Sequence, residues 1–190
     1  MASHLDYFRR FSALSTEEAQ AIIDSTVLHT LAKGDHLRRE GETSPQTYFV
    51  QKGCVRQYRL VEGEEITTHF YTEGQWIMGP MSFGKPIPAT DYLICMEPTE
   101  VVVGDEEKAQ ALFDLFPRFE AISRGVMETV IQEQQQAMAL YHTSTPEQRY
   151  QHLLDTRPDL PQRVPQYQLA SYLGIKPESL SRIRKRLSRS

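Results

Sequence analysis

Cysteine is almost missing: the 190 residues hold two, Cys54 and Cys95. Two cysteines cannot build a disulfide framework, and there is no C-x-x-C pair to hold zinc or exchange electrons. Both thiols are expected as buried small hydrophobes in a reducing compartment. Long apolar runs are missing too. No stretch of 18 apolar residues occurs, and the N-terminal MASHLDYFRRF lacks an apolar signal core. A soluble cytoplasmic protein with no membrane partner is the expectation. The six histidines, His4, His29, His36, His69, His142 and His152, include no H-x-H or H-x3-H pair. That argues against a metal-dependent enzyme of the cupin type. Only His69 falls in an expected strand with a carboxylate, Glu73, close by, and a plain strand-face role suits it better. No G-x-S-x-G, phosphate-binding loop or Cys–His pairing is present. No catalytic residue, metal ligand or cofactor is therefore assigned, and no enzymatic activity is expected.

Positive charge is scarce everywhere except at the end of the chain. The formal net charge is −4. Residues 164–190 carry six Lys or Arg and one acidic residue, a net of +5, while the other 163 residues carry 15 against 24, a net of −9. This asymmetry fits a basic reading head on an acidic body.

The basic stretch, VPQYQLASYLGIKPESLSRIRKRL, reads as two short helices joined by a tight turn. Leu169, Ala170 and Leu173 give the first an apolar side. Gly174 follows where a helix end wants a residue tolerant of positive φ. Pro177 suits the first turn of the next helix. Leu180, Ile183 and Leu187 then form one buried stripe. These positions match a helix-turn-helix, whose second helix enters the DNA major groove. The groove-facing candidates are Gln166, Tyr167, Lys176, Glu178, Ser179, Arg182, Lys185 and Arg186. Arg can pair with two acceptors of guanine, Glu can accept from cytosine, Ser can serve either phosphate or base, and Lys185 suits phosphate. An ordinary amphipathic hairpin with a solvated charged face is the plainer alternative.

Ahead of the head, Ser15 and Glu18 form a capping box with Ala19, Ile22 and Ile23 facing inward. From about Val27 to Val103, short apolar runs alternate with Gly turns at roughly 7 to 12 residues, as in a jelly roll of about eight strands. Lys108 to Phe116 reads as a short helix. Arg118 to Tyr141 reads as a long one, with Phe119, Ile122, Val126, Val130, Ala137 and Leu140 at near-heptad spacing. That stripe is expected to be a two-stranded dimer seam. Thr145-Pro146-Glu147-Gln148 opens a further helix, and Asp155 to Pro165, with three prolines, is expected as a loop. The fold class is α+β: a jelly-roll domain (1–117), a dimerisation helix (118–143) and a helical DNA-binding domain (144–190).

This order resembles the Crp–Fnr family of bacterial transcription regulators over nearly the whole chain. Tyr48 to Val55 (YFVQKGCV), Gly74 to Ile77 (GQWI) and Leu169 to Ile183 carry the likeness most specifically. The resemblance implies a homodimer held by the long helix, a palindromic operator in double-stranded DNA, RNA polymerase as a partner, and a signal read by the roll. Members that bind cyclic nucleotides carry F-G-E-L followed by R-S-A or R-T-A. Here the matching stretches are Met78-Gly79-Pro80-Met81-Ser82-Phe83, with Pro80 in the Glu position, and Ala89-Thr90-Asp91-Tyr92, with no Arg. Cyclic AMP and cyclic GMP are therefore not expected to bind. An iron–sulfur centre is not expected either, because two cysteines cannot supply four thiolates. Any effector is unidentified; an open pocket among Trp76, Met78, Met81, Phe83 and Tyr92 would suit an apolar or neutral one, and a filled pocket is equally compatible. Glu178 and Arg182 match the family's base-contacting Glu and Arg, whereas Pro177 replaces an Arg. With Ser190 a few residues past the last helix, the family's β-hairpin wing is expected to be missing. A ligand-binding or scaffold protein of the same fold that has lost DNA binding is the alternative function.

Overall fold

The computed structural model describes residues 4–43, 46–82, 85–104 and 106–188. Two helices come first, α1 (His4–Arg9) and α2 (Thr16–Asp24). The start of α2 is fixed by the capping box: the Ser15 hydroxyl accepts the Glu18 N–H at 3.1 Å, and the Glu18 carboxylate accepts the Ser15 N–H at 2.8 Å.

Among the described residues ten strands follow: β1 (Thr26–Leu31), β2 (His36–Arg38), β3 (Thr47–Lys52), β4 (Val55–Val61), β5 (Glu64–Tyr71), β6 (Trp76–Ile77), β7 (Met81–Ser82), β8 (Lys85–Pro86), β9 (Tyr92–Cys95) and β10 (Thr99–Gly104). Eight of them form two four-stranded antiparallel sheets, ordered β1-β10-β3-β6 and β2-β9-β4-β5, and β7 and β8 make a separate small hairpin. The result is a jelly-roll-like sandwich. Glu62 (φ 54°) and Gly63 (φ 84°) are both left-handed, which is what a two-residue β4–β5 turn needs to match strand twist. Between the sheets lie Tyr48, Val50, Ile77, Val101 and Val103 from one, and Val55, Tyr71, Leu93 and Cys95 from the other. Both cysteines are buried free thiols, as expected. Burial pushes the Cys54 thiol up to about 12, so it stays protonated and unreactive.

Next come α3 (Glu106–Leu115) and α4 (Arg118–Thr143). The outer face of the first sheet, with Phe49, Trp76 and Val102, is covered by Tyr7 of α1 and Val126 of α4. Phe119 and Ile122 of α4 pack with Ile22 of α2. This corrects the expected dimer seam. Phe119, Ile122, Val126 and Val130 are only 1–8% exposed within a single chain, because the roll and the N-terminal helices take that stripe as core. Ala137 is exposed and Leu140 half-buried, since this half of α4 runs past the roll.

The last four helices are α5 (Pro146–Thr156), α6 (Leu160–Arg163), α7 (Gln166–Tyr172) and α8 (Pro177–Leu187). Thr145 and Gln148 complete the capping box of α5 with Pro146 in its first turn. The expected 155–165 loop instead contains α6, a single turn that lets Leu160 and Val164 both enter the core. These helices lie on the outer face of the second sheet. Cys54, Phe70 and Met96 of the roll form one cluster with Leu153, Leu160, Val164, Leu169, Ala170 and Leu173. β5 is thus covered on both faces, which is why adjacent Phe70 and Tyr71 are both buried.

Candidate functional site

The corner between α7 and α8 is built from backbone chemistry. The Ile175 N–H donates to the Ala170 carbonyl and the Gly174 N–H to Ser171, each at 3.0 Å, with Gly174 at φ 69°. This is a Schellman closure, and it satisfies the carbonyls that the end of α7 would otherwise leave open. Arg149 then pins the corner to the end of α4. Its guanidinium donates to the carbonyls of Leu173 (2.9 Å), Tyr141 (2.9 Å) and Ser144 (2.6 Å) and lies 4.6 Å from the centre of the Tyr141 ring.

α8 buries Leu180 and Ile183 and half-buries Leu187. Its other side carries the expected groove-facing residues. Gln166, Tyr167, Lys176, Glu178, Arg182, Lys185 and Arg186 are exposed and Ser179 is half-buried, so all eight are accessible on α7, α8 and the turn between them. Arg182 donates to the Ser179 hydroxyl at 3.4 Å. One acidic neighbour was not foreseen. Glu147, in the first turn of α5, accepts two hydrogen bonds from Arg186 and lines a groove of about 490 Å³ with Thr145, Ser179 and Arg182. Only its capping-box position was legible in the sequence.

Polar contacts lock the head onto the roll. Arg163 at the end of α6 donates to Glu97 (2.6 and 3.1 Å), Glu73 (two bonds of 2.9 Å) and Asp159 (2.7 Å). Burial alone would lower the Arg163 pKa, but the carboxylates outweigh it and raise it. Burial would likewise raise Glu73, yet Arg163 and the Gly53 N–H hold it below its ordinary value. Arg157 donates to the Phe70 carbonyl at 2.6 Å, and the Thr67 N–H of β5 donates to the Ser171 hydroxyl at 2.9 Å. His69 lies between the rings of Tyr71 (4.2 Å) and Tyr172 (6.3 Å). Burial, with the Arg157 charge, lowers its pKa to about 3.

Among the described residues, the roll does not bring the expected pocket aromatics Trp76 and Tyr92 together. Trp76 packs outward against Tyr7, Phe8 and Phe49, with its indole N–H buried and unpartnered. Tyr92 stacks on Tyr58 at 4.8 Å, away from Leu93 and the interior. Met78 is half-buried, while Phe83 and the Met81 side chain lie outside the described residues. Alternation explains the split, because Trp76 and Tyr92 each precede an inward-facing neighbour, Ile77 and Leu93.

The inner face instead holds a polar network. Arg38, 3% exposed, donates to Asp91 Oδ1 from Nε (3.1 Å) and Nη2 (2.6 Å), and to the Met78 carbonyl at 3.4 Å. The Gln57 amide donates to Asp91 Oδ2. The Tyr71 hydroxyl donates to Gln57 Oε1 at 3.1 Å, and burial pushes its pKa up to about 12. Among the described residues no group of three His, Cys, Asp or Glu could hold a metal, and no helix is long and apolar enough to cross a membrane.

Residues 15–115 match the model of the cyclic nucleotide-binding domain, which is more than half of the chain. The chain belongs to the cyclic nucleotide-binding domain family. Its family domain runs from α2 through α3 and includes Arg38, Gln57, Tyr71 and Asp91, but none of the helices after α3. Solved structures similar to this family member extend over those helices as well. The c-di-GMP-responsive global regulator CLP of Xanthomonas campestris shares 18% identity, covers 92% of each chain and gives a TM-score of 0.67. FixK2 of Bradyrhizobium japonicum shares 18%, covers 86% of this chain and 85% of its own, and gives 0.65. The catabolite activator protein of Thermus thermophilus shares 21%, covers 94% and 86%, and gives 0.56. At these identities the likeness concerns the fold. No match was found among curated proteins.

Proposed function

We propose that the chain is a homodimeric transcription regulator that reads double-stranded DNA with α8. The observation that carries this is the sidedness of α8: Leu180 and Ile183 are buried while Glu178, Arg182, Lys185 and Arg186 are exposed beside Gln166, Tyr167 and Lys176. A basic face on an otherwise acidic chain confines phosphate contacts to the head. The fold shared with regulators from three bacteria supports the same reading. The functional division is a roll (1–117), a dimerisation helix (118–143) and a reading head (144–190), with RNA polymerase as a further partner and no catalytic role.

The dimer seam belongs on a second stripe of α4. Met127, Ile131, Met138 and Tyr141 are 46–64% exposed, about a quarter-turn round from the stripe that the roll buries. Their spacings of four, seven and three are those of a coiled-coil seam. Two-fold pairing of the heads would place half-sites one helical turn apart, roughly 34 Å. Pro80 in place of a ribose-holding Glu, and Asp91 near the position of a phosphate-holding Arg, leave the roll without the groups that cyclic AMP requires.

The test is fluorescence anisotropy with random-sequence duplex DNA over a range of salt, with and without cyclic AMP. Binding that falls steeply with salt and ignores cyclic AMP supports the reading. No binding at low salt rejects it in favour of a scaffold that has lost DNA binding.

A further inference from the structure

The network on the inner face of the second sheet has the geometry of an occupied receptor. Two adjacent donors of the Arg38 guanidinium converge on Asp91 Oδ1, and the Gln57 amide donates to Oδ2. The Gln57 amide is itself oriented, because its oxygen accepts from the Tyr71 hydroxyl and its NH2 is thereby turned toward Asp91. These donors come from β2 and β4, with support from β5, and Asp91 sits just before β9. The third direction of Arg38 is used by the Met78 carbonyl. Both Asp91 oxygens are satisfied and the two charges cancel.

We propose that Asp91 is a tethered anion that fills a preorganised oxyanion-binding site formed by Arg38 and Gln57, so that the roll carries its own ligand and takes no diffusible one. The chemical class of the site is a small carboxylate. A second anion beside Asp91 would leave one negative charge buried without a partner, which is strongly unfavourable. Tyr48, Tyr71 and Leu93 of the same interior are buried, and removing the Asp91 carboxylate would free a space of that group's own size, which formate matches. The site takes only Asp91 and the Met78 carbonyl from the stretch between β6 and β9. It does not depend on the DNA-binding reading, because its test uses no DNA.

The experiment is titration of Asp91→Ala with sodium formate, against sodium chloride at equal ionic strength, read by calorimetry and by thermal unfolding. The substitution opens a carboxylate-sized space with its donors still in place. Formate should bind one to one and raise Tm by roughly 3–6 °C at about ten times its Kd. The unmodified protein and the paired variant Arg38→Met/Asp91→Leu, which keeps volume and removes both charges, should show no formate-specific shift. Should Asp91→Ala fold only in formate, the proposal is supported in stronger form. Should it fold in neither salt, Asp91→Ser, which also leaves room for the anion, is titrated in its place. The proposal is overturned if the substituted protein gains no formate-specific shift. It is equally overturned if the unmodified protein binds formate, inorganic phosphate or cyclic AMP in a manner that Arg38→Met/Asp91→Leu abolishes.

Discussion

Replacing Arg163 by Met should loosen the C-terminal helices from the roll while leaving those helices intact. The Arg163 side chain is 17% exposed and bonds three carboxylates, of which Glu73 and Glu97 belong to the roll and Asp159 to the head. Breaking a fully buried pair costs ~3–5 kcal/mol, and an exposed one ~0–1 kcal/mol. Glu73 and Glu97 are 40% and 30% exposed, so both rehydrate in part once Arg163 is gone. The Asp159 contact is more exposed still and adds little. The net cost is about 2 kcal/mol, and for a chain of this length Tm should fall by ~4–8 °C. Arg163→Lys should recover less than half, because an ammonium cannot reproduce the fork that meets Glu97 and Glu73 together. Urea unfolding and limited proteolysis between α5 and α7 read the two effects. A shift below about 0.5 kcal/mol, with no gain in cleavage, would mean that apolar packing around Leu160 and Leu169 alone sets the head's position.

Ile131→Glu with Met138→Glu should yield a folded monomer, because neither side chain is buried within the chain; light scattering that shows an unchanged mass would exclude this seam. Acid should weaken the docked head. His69 titrates near 6.5 when released and near 3 when docked, so its contribution is complete above about 6.5 and is lost as pH falls toward about 3, by up to ~1.4 kcal/mol per pH unit. The lowered pKa values of Glu73 and Asp159 act in the same direction at lower pH. Urea midpoints from about pH 7.5 to about pH 5 should fall for the unmodified protein and fall less in His69→Phe, where His4 and His36, also lowered by burial, still contribute; equal slopes in both would refute the assignment. Gly53→Ala should destabilise markedly, since a Cβ there would lie 2.8 Å from the Thr99 backbone at a φ of 100°. A thermal midpoint within about 1 °C of the parent would contradict that contact.

The parts of this fold governed by neighbours in sequence were legible. The Ser15–Glu18 and Thr145–Gln148 boxes, Gly174 at the helix end and the Leu180–Ile183 stripe each follow from a few adjacent residues. What was missed depends on pairs far apart in the chain. Arg38 and Asp91 are 53 residues apart, and Arg163 lies 66 and 90 residues from its two partners on the roll. No periodicity marks such contacts. α4 has bounds that follow from sequence, but what its Phe119–Val130 stripe packs against does not, for a different reason. It carries two apolar stripes, one through Phe119 and Val126 and one through Met127 and Ile131, and sequence spacing does not say which the roll will claim. Trp76 and Tyr92 leave the expected pocket by strand parity: both are aromatic and adjacent to the right positions, but each points to the opposite side from its inward neighbour.

A binding-site selection run side by side on the unmodified protein and Arg182→Ala tests most directly whether α8 reads base pairs. Arg182 is exposed on the face opposite Leu180 and Ile183, where a bidentate contact to guanine would form. The unmodified protein should select a two-fold symmetric motif, with half-sites one helical turn apart. Arg182→Ala should lose ~1–3 kcal/mol of affinity and its preference at one base pair per half-site. An unchanged motif bound with unchanged affinity by Arg182→Ala would contradict the docking of this helix.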